Sequence, residues 1–185
     1  MNPALPPRPD LARLVVDLCR LRGGPQDFPY SPKLLVALFV AGTALDTLGG
    51  SFNVDAGAAL ASSLLSTGVV LALCWIALAI RGLRNRFMQT AGALLACSIA
   101  LSLLSLPITW LYEPSDAIGA IVSPGHVMTQ WFVSWAIFGL FVWQIVVNAH
   151  ITRSAMDSSF GFALVLVIVW QVVYLSFAQL LPGVT

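Results

Sequence analysis

The chain has 185 residues, of which 58% are hydrophobic and only 9% charged, and its formal net charge is +1. A soluble domain carries about 25% charged residues and must still face water across its exterior. With a mean hydropathy of +0.89, this composition excludes a soluble enzyme, a secreted disulfide scaffold and a disordered chain. No basic block offers phosphates a footprint, so nucleic acid is not an expected partner. An all-α integral membrane protein remains. The apolar runs are long and apolar all round, unlike the short alternating strands of a β-barrel.

Residues 1–32 form a hydrophilic N-terminal segment. Its first nine residues are rich in proline and read as an extended tail. From about residue 10 to 22, Leu11, Leu14, Val15, Leu18 and Leu21 recur at helical spacing, with Arg13, Asp17 and Arg20 on much of the other face. The expectation is a short amphipathic interfacial helix ended by Gly23-Gly24-Pro25. Its basic side chains, Arg13, Arg20 and Arg22, would meet anionic head groups. Packing on the ends of a helix bundle is compatible with that placement. Ser31 is placed to cap the next helix, with Pro32 at its first position.

Five spans follow within residues 33–185, at about 33–52, 56–80, 87–112, 127–149 and 160–181. A hydrocarbon core about 30 Å thick needs roughly 20 helical residues. The last four spans contain no charged residue; the first contains Asp46. Some 30 polar and mixed residues precede the first apolar run, so the expectation is an unprocessed chain. Spans two and three, joined by Arg81 to Arg86, are expected to pair as antiparallel neighbours, with small residues such as Gly68 and Gly92 at their faces. Spans four and five should pair across residues 150–159. Ser115 is placed to cap a short surface helix from Asp116 to Val122.

All nine basic residues fall on one side of this five-span topology. The other side holds Asp46, Asp55, Glu113 and Asp116 and no Lys or Arg. The positive-inside rule therefore puts the N-terminus in the cytoplasm and the C-terminus in the periplasm of a bacterial inner membrane. Arg81, Arg84 and Arg86 join Arg13, Arg20 and Arg22 as expected lipid or interface contacts.

Chemistry is sparse. Cys74 and Cys97 read as apolar packing residues, and Cys19 as a position where S-acylation is conceivable. His126 and His150 bracket span four, roughly 36 Å of helix apart, too far to share a ligand. His150 is a candidate proton sensor, a role histidine side chains often take. Asp46 is the one acid inside a span, which marks a functional site, although a place in the outer head-group layer beside Gly49 and Gly50 is the plainer reading. Gln144 and Asn148 share a helix face, and Gln171, a neighbour of Tyr174 in span five, is a candidate to answer them. Interhelical hydrogen bonds explain them most simply, a polar path more sharply. The serines of spans two and three read as bonding to their own backbone or to neighbours. An enzyme site would need Glu113, Asp116 and His126 from one outer loop, the weakest of the readings.

The stretch from Leu18 to Leu35, with Gly24-Pro25-Gln26-Asp27 and Pro29-Tyr30-Ser31-Pro32 leading into span one, resembles the Yip1-like family of small five-span membrane proteins, as does the overall topology. The resemblance implies a helical membrane protein acting through lipids or protein partners, with no catalytic residues to transfer. The expected function is thus non-enzymatic and cofactor-free. The chain would be an accessory subunit, assembly factor or scaffold bound to a membrane-protein partner or to copies of itself. The alternative is a small oligomeric transporter or channel using Asp46 and the polar faces of spans two to five.

Overall fold

The computed structural model describes residues 10–52, 54–111 and 124–178. It is all-α, with no strand among the described residues. Six helices follow in order: α1 (Leu11–Cys19), α2 (Pro32–Gly50), α3 (Ala56–Ile80), α4 (Phe87–Trp110), α5 (Pro124–Met156) and α6 (Phe160–Ala178). The last five are long and apolar enough to cross a membrane, which fits an integral membrane protein. Their outward faces carry large exposed apolar side chains such as Val36, Val40, Leu64, Ile76, Phe132 and Val165. So much exposed apolar surface suits lipid as solvent and would be an aggregation site in water. The proline-rich tail and the expected helix from Asp116 to Val122 lie outside the described residues.

Local chemistry sets the helix ends. Asp10 Oδ1 accepts from the Ala12 amide at 3.4 Å, and Ser31 Oγ from the Leu34 amide at 3.3 Å, with Pro32 in the first turn as expected. Asp55 caps α3 by accepting from the Gly57 amide at 2.9 Å. Three helices end in the Schellman pattern, with a left-handed residue just past the last turn. Those residues are Leu21 (φ 60°), Gly82 (φ 71°) and Asp157 (φ 49°). The matching six-to-one bonds are Arg22 N to Asp17 O, Leu83 N to Leu78 O and Ser158 N to Arg153 O.

The α3–α4 turn, the α5–α6 turn and α1 lie at one end of the bundle, here the basic end. Its guanidinium groups sit on aromatic faces: Arg81 lies 5.4 Å from the Phe162 ring centroid and Arg84 5.5 Å from that of Trp75. Such contacts suit an interfacial depth. Arg86 donates to Asp157 Oδ2 at 2.7 Å and to Ala155 O at 3.1 Å. Arg13, Arg20 and Arg22 are exposed.

Two expectations about span packing change. The fourth span does not stop at Ala149; α5 continues two turns to Met156. Ile151, Thr152, Ala155 and Met156 are buried there at three- and four-residue spacing, so the added turns have a core to pack on. In addition, α3 and α4 are joined by a short turn but pack only lightly on each other. The main neighbours run α2–α3–α6–α5–α4 and back to α2, a closed ring of five helices. Gly68 of α3 accordingly faces open space, whereas Gly92 of α4 is buried.

Gly92 is covered by the N-terminal segment instead. Phe28, only 2% exposed, lies over it, and a Cβ at residue 92 would come within 2.9 Å of the Phe28 ring. Gln89 Nε2 clamps the same segment by donating to Gln26 O at 3.1 Å and to Phe28 O at 3.0 Å. Leu18 of α1 is buried in the same apolar cluster. Its neighbour Cys19 accepts a hydrogen bond from Cys97, which holds the Cys19 thiol below its ordinary pKa against the opposing effect of burial. Thus α1 packs its apolar face on the bundle and leaves Arg13 and Arg20 exposed.

Gly92→Ala is expected to destabilise the protein by about 1–3 kcal/mol through overpacking, and Phe28→Ala by about 3 kcal/mol or more through cavity formation. In the Phe28→Ala background, Gly92→Ala should become nearly neutral. Unfolding titrations of the four proteins in mixed micelles measure the coupling.

Candidate functional site

A ring of five helices leaves space along its axis. Near the basic end that space is filled by a core that includes Cys74, Leu78, Val147 and Ile151. Beyond the core lies a cavity of about 310 Å³ to which all five spans contribute. The α2 contribution is Asp46; α3 supplies Ser62, Ser63, Ser66 and Thr67; α4 supplies Ser98 and Ser102. Gln144 and Asn148 come from α5, and Gln171 and Tyr174 from α6. Counted from the basic end at 1.5 Å per residue, these positions lie roughly 10–27 Å along their helices. The cavity therefore extends from the middle of the apolar helices toward the end opposite the basic one.

Hydrogen bonds tie its walls together. Ser102 Oγ donates to Asp46 Oδ1 at 2.7 Å, joining α4 to α2. Gln144 Nε2 donates to Ser98 Oγ at 3.2 Å, joining α5 to α4. The Ser62 and Tyr174 hydroxyls share a bond of 3.2 Å, joining α3 to α6. Other hydroxyls bond within their own helix: Ser63 donates to Ala59 O at 2.9 Å and Ser105 to Ser102 O at 2.9 Å. Both roles expected for the serines are thus realised, on different residues.

The expected polar residues divide into two groups. Asp46, Gln144 and Asn148 converge on the cavity, with Gln171 beside them. Asp46 is half-buried and stands roughly 21 Å along α2 from Pro32 and roughly 6 Å from its other end at Gly50, in the outer part of the helix. His150 does not join them. Its Nε2 donates to Gly23 O at 3.0 Å at the basic end, where it holds the N-terminal segment. Glu113, Asp116 and the side chain of His126 lie outside the described residues. The three cysteines are free thiols, Cys74 and Cys97 fully buried as packing residues. Among the described residues, no three His, Cys, Asp or Glu side chains gather as a metal site.

Tyr174 enters the site where the sequence marks it only as a neighbour of Gln171. Its signal is the four-residue spacing from Trp170: the indole packs into the core while the phenol, one turn further on, reaches polar groups. Comparison with family models, curated proteins and solved structures yields no match.

A cavity with this lining should hold water. Ser66→Cys, made in a chain whose native cysteines are replaced, is expected to react with a small charged thiol reagent, because its thiolate can form in water. Leu64→Cys, on the exposed apolar face, should stay unlabelled in the same membranes. Equal labelling of the two would contradict a wet interior. Gln144→Leu is expected to cost only about 0.6 kcal/mol, the average for an interhelical hydrogen bond in a membrane protein, measured by unfolding in bicelles.

Proposed function

We propose that this chain is a small non-enzymatic membrane transport protein that holds a polar solute at the centre of its five-helix ring. One observation carries the reading: the cavity to which every span brings a polar side chain. Polar side chains at the bilayer centre are costly and mark solute or ion pathways, and transporter sites lie near the midplane. The site is built by one chain, so it does not depend on oligomerisation. The charge asymmetry supports a bacterial inner membrane with the basic end and N-terminus cytoplasmic and the C-terminus periplasmic.

A second reading, as an accessory subunit or scaffold, is favoured by the exposed aromatic stripe of α5. Trp131, Trp135 and Phe138 stand at helical spacing and are more than half exposed, with Trp135 and Phe138 in edge contact at 5.9 Å. Aromatic side chains of this kind anchor partners as well as lipids.

Uptake of radiolabelled glycerol, ethanolamine and glycine into proteoliposomes separates the two readings. The transport reading expects at least one of these to enter faster than into protein-free vesicles, with the rate lost in Asn148→Leu/Gln171→Leu. No uptake of any solute, together with a stoichiometric membrane-protein partner in gentle detergent, favours the scaffold. A C-terminal alkaline phosphatase fusion should be active and a C-terminal green fluorescent fusion dark if the terminus is periplasmic.

A further inference from the structure

The charge inventory of the cavity narrows what it can hold. Its lining contains one carboxylate, Asp46, and no Lys, Arg or His. The described basic side chains belong to the basic end: Arg81 and Arg84 rest on aromatic rings, and Arg86 is committed to Asp157 and Ala155 O. An ionised carboxylate buried among apolar helices has a large desolvation cost unless a positive charge accompanies it. Here the protein places none beside it, so whenever Asp46 is ionised its compensating charge comes from the occupant.

The hydrogen-bond geometry specifies the form of that charge. Ser102 occupies Oδ1 of Asp46 at 2.7 Å, while Oδ2 has no hydrogen-bond partner among the described residues. By giving its proton to Asp46, Ser102 turns its own oxygen lone pairs outward as acceptors. Gln144 spends its amide N–H on Ser98, which leaves its carbonyl oxygen as an acceptor. A primary ammonium has three donors and no acceptor, and this corner supplies a carboxylate oxygen and hydroxyl oxygens to receive them.

Other occupants fit less well. An anion would find no basic side chain and a carboxylate in its way. A divalent metal ion seeks several hard oxygens and usually more than one carboxylate, and the space, about 310 Å³, is many times the roughly 30 Å³ share of one water. A quaternary ammonium prefers an aromatic cage, whereas only Phe141 and Tyr174 are aromatic in the lining. A neutral polyol would satisfy the amides and hydroxyls but leave Asp46 uncompensated.

Building on the transport reading, we infer that the cavity binds a small organic cation: a primary ammonium seated on Asp46, with a short polar body hydrogen-bonded by Asn148, Gln171 and Tyr174. Asp46 is then the counter-ion of the solute and the main source of discrimination between charged and neutral solutes of the same size.

The test uses the full-length protein in nanodiscs and four probes: ethanolamine, glycerol, tetramethylammonium and sodium ion. Binding is read by calorimetry and by protection of Ser66→Cys from labelling. Ethanolamine should bind and protect. Asp46→Asn should weaken it by at least about thirtyfold, as expected for removing one partner of a buried charge pair, and Asp46→Glu should restore part of the affinity. Should Asp46→Asn fail to fold, competition on the wild-type protein decides: ethanolamine must displace what glycerol and tetramethylammonium cannot. Glycerol binding as tightly as ethanolamine, unaffected by Asp46→Asn, overturns the cation assignment and leaves polar-solute transport standing. Binding of sodium ion alone also overturns it. Absence of binding by any probe, with Ser66→Cys unlabelled, removes both the cation assignment and the transport reading.

Discussion

Hydrocarbon neither donates nor accepts hydrogen bonds, and that constraint orders the whole molecule. A polar side chain on a spanning helix must find its partner inside the protein. In this chain many polar groups of α2 to α6 turn inward together, and the outward faces are mostly Val, Leu, Ile, Phe and Trp. Ser102 reaches Asp46, Gln144 reaches Ser98, and Ser62 reaches Tyr174. Each of these bonds crosses between neighbouring helices of the ring. The ring and its polar axis are therefore one solution: closure gives the polar groups an interior, and the polar bonds stitch the closure.

The same constraint makes α4 the most buried of the spans. It packs on α2 and α5 within the ring, and its remaining small-residue face is covered by the N-terminal segment. Glycine and alanine at 91, 92, 93 and 96 let neighbours come close. One of those neighbours is an aromatic ring from a turn, not another spanning helix. Gln89, His150 and Gly92 together make a seat for residues 23–28, so a stretch that looks like a linker is a packed element of the fold.

Much of this was legible in the residues. Uninterrupted apolar length locates five spans, because the hydrocarbon thickness leaves few alternatives. Ser31, Pro32 and the helical spacing from Leu11 to Leu21 locate caps and the amphipathic helix. Asp46, Gln144 and Asn148 stand out because polar groups are rare in such segments, and three of the four polar candidates do meet. What the sequence withholds is neighbour order. A six-residue turn makes α3 and α4 look like partners, but helix pairing follows side-chain fit around the ring, and α2 lies between them. His150 has the polarity of a site residue, yet its height on α5 puts it at the wrong end. The true length of α5 was hidden because Arg153 and Ser154 look like a loop; they are the outer side of a helix whose Ile151 and Ala155 are buried. The Phe28–Gly92 contact joins residues far apart in the chain, and no local pattern announces it.

The N-terminal seat has a consequence for the order in which the protein is made. Residues 23–28 leave the ribosome early, but Gln89 and Gly92 are made more than 60 positions later, and His150 later still. Until α5 is in place, Phe28 has no socket and the Gly23 carbonyl has no imidazole to receive. The segment must therefore wait, with its apolar face held by the membrane surface or by a chaperone, while three spans insert and a fourth follows. Its docking marks the completion of the bundle, so a stretch made before any of the five spans is among the last to find its place.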